Sequence, residues 1–231
     1  MFIVMSLGGS ILAGDLDASR FKTYAEVLKE ISKKHKLLVV VGGGVYARKY
    51  IETARAAGAD EVTCDFIGID VTRINAKMLI AALGKEAYPE VPVNYNEAAV
   101  AAESNKIVVM GGVLPGQTTD AVSAALSEYL KADLLLIPTS VDGIYSADPN
   151  TDKTAKKFKT MTASDLVKMS GEMSLKAGSK SAIDPIACKM IERSGIRTIV
   201  LDGRNTKTLM KIIKGEEKGP QTECDGTVII P

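Results

Sequence analysis

Apolar runs recur along this chain at residues 2–7 (FIVMSL), 37–41 (LLVVV), 107–110 (IVVM), 134–137 (LLLI) and 197–201 (RTIVL), with a sixth at 227–230 (TVII). Strands with one wet face would alternate apolar and polar residues. These runs do not alternate, so both of their faces must be covered. Longer amphipathic segments separate most of them. Residues 17–35 place Phe21, Tyr24, Ala25, Leu28 and Ile31 at helical spacing, and 72–84, 120–131, 164–170 and 184–194 look similar. Strands alternating with helices predict an α/β chain, a three-layer α/β/α sandwich around a central, mostly parallel sheet. No stretch rich in Pro, Gly or Ser divides the chain, so residues 1–231 read as a single domain with a cleft between two lobes. The polar, turn-rich segment 141–161 reads as a hairpin or flap beside that cleft.

Ligands on such sheets bind outside the carboxyl ends of the strands. Here the first run ends in LGGS (7–10), the second in GGG (42–44), the third in GGVLPGQTTD (111–120) and the fourth in PTSVDGIYSADP (138–149). The second junction, VVVGGGVYARKYI, goes from strand to glycine loop to helix. Such a junction aims backbone N–H groups and the positive helix end at one point, which suits a phosphate. Arg48 and Lys49 add positive charge near that end, where the helix dipole disfavours it and an anion would offset the cost. Alone, the segment reads equally well as a tight turn. Repeated at neighbouring strand ends, such loops would line one crevice able to hold more than one phosphate.

Net charge +1 gives no electrostatic case for a nucleic-acid polymer or a membrane surface as partner. Cys64, Cys188 and Cys224 are far apart and show neither a disulfide framework nor zinc-ligand spacing, which favours a cytoplasmic location. The start, MFIVMSLGGSILAG, lacks the basic region of a signal peptide, and no run approaches the roughly 20 apolar residues of a membrane span. His35 is the only histidine, inside the polar run SKKHK, and reads as a solvated residue. Histidine-based triads and multi-histidine metal sites therefore have little to build on. Backbone N–H groups, Lys, Arg and carboxylates remain, and phosphoryl transfer needs that set because it is mainly positioning and charge stabilisation.

With LGGS, VVGGG, DFIGI (65–69), MGGVLPGQTTDA (110–121) and TSVDGIYSADP (139–149) in this order, the chain resembles the amino acid kinase family over nearly its whole length. Neither GxxxxGK[ST] nor GxGxxG is present. Within the family, GGGVYARKYI, DFIGI followed by TRINA (72–76), and PGQTTDA are similar to archaeal-type uridylate kinases. The resemblance implies transfer of the γ-phosphoryl of ATP to UMP, giving UDP for pyrimidine nucleotide synthesis, by a homohexamer built as a trimer of dimers. It also implies Mg²⁺ held mainly through the ATP phosphates, with no metal-ligand set in the protein.

Residue by residue, the resemblance places Gly9, Ser10, Gly44, Arg48, Thr139, Ser140, Tyr145 and Asp148 at ATP. Gly43, Asp65, Val113, Leu114, Pro115, Gly116, Gln117, Thr118 and Thr119 fall at UMP, with Asp65 on the ribose. The N-terminal part thus holds mainly the acceptor and the C-terminal part mainly ATP. Arg48 and Asp120 are the implied catalytic pair, the carboxylate organising the charged groups at the reacting centre. Many family members carry a first-strand lysine where this chain has Ser6; archaeal-type uridylate kinases also lack it. Arg48 is then the first candidate for the principal cation, with Lys49 and Lys180 behind it.

Plainer readings stand beside these. Asp65 and Asp120 suit helix caps, Tyr145 suits packing of the flap, and Lys153, Lys156, Lys157 and Lys159 suit a solvated face. Two other functions share the fold: a kinase for isopentenyl phosphate, carbamate or an amino-acid carboxylate, and a non-catalytic nucleotide sensor. An isopentenyl-phosphate kinase is expected to place a histidine by its acceptor phosphate, and His35 lies far from every loop. A sensor is expected to add a regulatory domain.

Overall fold

The structure, a computed structural model, describes residues 1–147, 149, 151–174, 183–216, 218–220 and 224–231. Among them, strands β1 (Phe2–Leu7), β2 (Lys36–Val41), β3 (Val108–Met110), β4 (Leu134–Thr139), β5 (Thr160–Thr162), β6 (Thr198–Asp202) and β7 (Gly226–Ile230) form one sheet in the order β3-β2-β1-β4-β6-β7-β5. The neighbours from β3 to β6 pair in parallel, β7 runs antiparallel to β6, and β5 runs parallel to β7. The helices are α1 (Gly9–Leu12), α2 (Ala18–Ser32), α3 (Gly44–Ala56), α4 (Glu61–Leu83), α5 (Tyr95–Ala102), α6 (Thr119–Tyr129), α7 (Ala163–Ser174), α8 (Pro185–Ser194) and α9 (Thr206–Glu216).

The expected three layers follow from the alternation of side chains along each strand. Ile3, Met5, Leu7, Val39 and Val41 point to one face, where α2, α4 and α9 cover them with Leu28, Leu79 and Ile213. Val4, Leu38, Val40 and Leu135 point to the other, beneath Ala98, Val122 and Ile191 of α5, α6 and α8. A strand buried on both faces cannot alternate with polar residues, which is why its sequence reads as an unbroken apolar run. Each fully buried Leu or Ile contributes about 1.5–3 kcal/mol by leaving water.

The elements depart from expectation in a few places. Helix α4 begins eleven residues before the expected start at 72, so DFIGI is helical. Asp60 caps it, accepting from the Thr63 N–H at 2.8 Å. Its first turns turn Val62 and Phe66 outward, 55% and 52% exposed, so no inward apolar stripe marks them in the sequence. Helices α5 and α9 and the polar edge strand β5 were not anticipated, while the 141–161 segment does start as a hairpin. Tyr145 bridges Lys157, and the Ser146 N–H donates to the Lys156 carbonyl at 3.0 Å. Residues 148 and 150 lie outside the described residues.

Candidate active site

Strands β3, β2, β1 and β4 are consecutive in the sheet and parallel, so their four loops leave the same edge. The loops after β1 and β2 are in backbone contact. A methyl group on Gly9 would lie 2.3 Å from both the Gly42 carbonyl oxygen and the Gly44 nitrogen, and one on Gly44 would lie 2.6 Å from the Gly9 oxygen. Gly44 also holds φ at +68°, a conformation that side chains disfavour. No larger residue fits this junction. The first N–H groups of α3, which begins at Gly44, have no acceptors within the helix. Gly9→Ala is expected to destabilise the fold by about 1–3 kcal/mol through overpacking. Because the loops must part, KM for the ATP that the resemblance places at Gly9 and Gly44 should rise as well. Denaturant melts and initial rates measure both, and wild-type values in both would refute the close approach.

Two polar residues of α4 hold these loops from below. The Asn75 side chain, 2% exposed, donates to the Gly42 and Gly43 carbonyls at 2.9 and 3.3 Å. The Thr72 hydroxyl accepts from the Gly112 N–H at 2.7 Å and donates to the Ile69 carbonyl at 2.5 Å. A helix that supplies polar groups one turn apart on its buried side satisfies backbone groups that the sheet edge leaves unpaired. Neither residue was singled out from sequence beyond its place in TRINA. The available signal was a Thr and an Asn at i and i+3 on a helix face otherwise made of Ile69, Ala76, Leu79 and Leu83.

The third loop, residues 113–119, is tied down at both ends. Asp65 accepts from the Gly116 N–H at 2.8 Å, with Gly116 at φ +76°. Asp65 therefore caps no helix; it sits inside α4, which Asp60 caps. At the other end Thr118, not Asp120, is the N-cap of α6: its hydroxyl oxygen accepts from the Ala121 N–H at 3.1 Å. The same hydroxyl donates to Asp184, whose carboxylate also caps α8 through the Ile186 and Ala187 N–H groups. Val113 is buried, Leu114 exposed, and Pro115, Gln117 and Thr119 half-buried.

Asp120, in the first turn of α6, accepts from the Ser6 hydroxyl at 2.5 Å. Burial raises its carboxyl from 3.8 to about 6; the Ser6 hydrogen bond opposes that shift and the Asp184 charge adds to it. Arg48, one turn into α3, is exposed and has no hydrogen bond or ion pair among the described residues. Lys49 instead lies 5.8 Å over the Tyr46 ring.

On the β4 side, Thr139 pairs with Asp202 across the β4–β6 ladder and Ser140 is exposed just beyond it. Tyr145 donates to Asp142 at 2.8 Å, and Lys157 donates to the other oxygen of the same carboxylate at 3.0 Å. Burial raises the Asp142 carboxyl, but these two hydrogen bonds and the Lys157 charge outweigh it and leave it below its ordinary value. The flap is anchored through the Ile144 N–H, which donates to the Thr227 hydroxyl at 2.8 Å. Asp148 and Lys180 lie outside the described residues.

The sequence model of the amino acid kinase family matches residues 1–202. The chain belongs to that family. It is 58% identical over 229 residues to a uridylate kinase of Methanosarcina mazei, covering 99% of this chain and 98% of that one. It is 59% identical over 217 residues to a uridylate kinase of Methanosarcina acetivorans, covering 94% and 93%. A solved uridylate kinase from Archaeoglobus fulgidus superimposes with a TM-score of 0.87 at 42% identity, covering 99% of this chain and 100% of the other.

Within the amino acid kinase frame, the structure brings Gly9, Gly43 and Gly44 together at one junction and Asp65 against Gly116. It sets Asp120 beside Ser6, with Thr118 and Asp184 next to it. Asp184 carries no sequence signal beyond opening the amphipathic segment 184–194. Ser6 is 1% exposed and gives Asp120 a neutral hydroxyl where a lysine would have given a charge. Burial and the Asp184 charge therefore keep the carboxyl raised, and the Ser6 hydrogen bond only partly offsets them.

Proposed function

We propose that this chain transfers the γ-phosphoryl of ATP to UMP, forming UDP and ADP by in-line displacement. The observation that carries the proposal is 58% identity across 99% of the chain to a uridylate kinase. The site geometry agrees with it. Gly9, Ser10 and Gly44 would hold the ATP phosphates, with Thr139, Ser140, Tyr145 and Asp148 toward its nucleoside. Gly43, Asp65 and residues 113–119 would hold UMP. The close approach of Gly9 to Gly42 and Gly44 supports this reading, since donor and acceptor phosphates held by these two loops would meet across one junction.

Arg48 would supply positive charge to the transferring phosphoryl, its guanidinium being uncommitted among the described residues. Asp120 would orient the charged groups around it. Mg²⁺ would be bound mainly through ATP oxygens and would neutralise phosphate charge there; the backbone cradle at Gly9 and Gly44 fits such a nucleotide. We infer a homohexamer, a trimer of dimers. The number of copies rests on the resemblance to uridylate kinases; a stripe on α4, Val62, Phe66, Ile74 and Met78, exposed at 37% or more, offers an apolar face for contact between copies. Among the described residues no helix is long and apolar enough to cross a membrane. Free Cys64, Cys188 and Cys224 suit the cytoplasm.

Incubating the protein with ATP, magnesium and UMP should yield UDP and ADP in equal amounts by chromatography. ADP without UDP would overturn the proposal. The division of the cleft has its own test. Tyr145→Ala should raise KM for ATP about tenfold, the size of one lost hydrogen-bonded contact, and leave KM for UMP unchanged. A change confined to UMP would reverse the two halves.

A further inference from the structure

Within loop 113–119, Gln117 is the one side chain that carries both a hydrogen-bond donor and an acceptor on a long, flexible stem. Left alone, such a side chain samples many rotamers, and fixing it for recognition costs entropy. Here it is already fixed. Tyr95, the first residue of α5, donates its hydroxyl to the Gln117 carbonyl oxygen at 3.0 Å. Tyr95 itself is held in place. Asn94 caps α5 by accepting from the Glu97 N–H at 2.9 Å, and Ala98, Ala101 and Ala102 bury the helix against the sheet. Burial raises the Tyr95 phenol, with the Gln117 hydrogen bond pulling the other way, so the hydroxyl stays protonated at neutral pH.

The consequence lies at the other end of the amide. With its oxygen occupied, Gln117 presents its NH₂ group, which has no hydrogen-bond partner among the described residues and is not buried. A fixed donor selects an acceptor. Uracil carries a carbonyl oxygen at position 4, where cytosine carries an amino group, so an N–H aimed there pairs with one base and collides with the other.

We propose that Tyr95 is a positioning residue for base specificity: it holds the Gln117 amide with NH₂ toward position 4 of the acceptor pyrimidine, favouring UMP over CMP. This rests on the uridylate kinase reading above. Tyr95 touches no substrate, and its effect passes through Gln117 alone.

The test is a comparison of wild type, Tyr95→Phe and Gln117→Glu, each assayed with UMP and with CMP at saturating ATP. Tyr95→Phe should lower the UMP:CMP ratio of kcat/KM about tenfold through KM for UMP, since a mobile amide discriminates poorly. KM for ATP and kcat should hold, and the melting midpoint should move by no more than about 3 °C. Gln117→Glu has no N–H to give and accepts from an amine, so its preference should shift toward CMP. An unchanged ratio in both variants, with the wild type still preferring UMP, overturns the inference and leaves the kinase reading intact. A wild type that does not phosphorylate UMP overturns that reading, and the inference with it. If Tyr95→Phe lowers kcat for both acceptors equally, Tyr95 serves folding of the loop and the inference falls.

Discussion

Asp120→Asn is expected to lower kcat by about 100-fold or more, the scale of one preorganised electrostatic group, and yet to raise the stability of the free protein at neutral pH. The two effects share a cause. Asn keeps the shape and still accepts from the Ser6 hydroxyl, but it removes a charge held beside Asp184 in a partly buried place. With the folded carboxyl at about 6 against 3.8 for the ordinary group, the native state binds this proton more tightly than the unfolded chain does. Stability from this group is therefore full below the lower value, falls as pH rises from about 4 to about 6, and stays lost above that range. A shift of this size, discounted for the residual exposure of the residue, is about 1–2 kcal/mol. Thermal melts at neutral pH should place the Asn variant a few degrees above wild type, with the gap closing near pH 4. A variant less stable than wild type at neutral pH would make Asp120 a structural group.

Arg48→Ala should separate activity from stability in the cleaner way. The side chain is exposed and makes no hydrogen bond or ion pair among the described residues, so the unfolding free energy should stay within about 0.5 kcal/mol of wild type. Loss of a cation at the transferring phosphoryl costs on the order of 3 kcal/mol in the transition state, about 100-fold in kcat. Steady-state rates on the purified variant decide the matter. An unchanged kcat would remove Arg48 from the chemistry and pass its role to Lys49 or Lys180.

The fold was legible because its strands are buried on both faces. Runs such as LLVVV and LLLI, short, rich in branched residues and set between amphipathic segments, read as interior strands, and glycine-rich loops at their carboxyl ends pointed to the crevice. What stayed illegible has physical reasons. The start of α4 turns Val62 and Phe66 to solvent, so its periodicity is lost. The cap of α6 belongs to Thr118 although Asp120 has the more obvious capping chemistry, because Thr118 alone sits at the non-helical position before the first turn. The supports of the site, Asn75, Thr72, Asp184 and Tyr95, contact loops distant in sequence. Sequence spacing carries no record of such contacts. The loops could be read from the sequence, but their supports could not.

The acceptor itself is the most direct test. Initial rates with ATP and magnesium should be measured for UMP, CMP, AMP, GMP and isopentenyl phosphate, each over a range of concentrations. Loop 113–119 offers amide, hydroxyl and backbone groups that suit a pyrimidine edge, and no aromatic residue to stack a purine. A site that hydrogen-bonds one base edge rejects analogues by several orders of magnitude when buried polar groups are left unpaired. UMP should therefore give the highest kcat/KM, CMP a much lower one, and the other three almost none. Equal kcat/KM for UMP and CMP, or a faster reaction with isopentenyl phosphate, would contradict the assignment of this crevice to UMP.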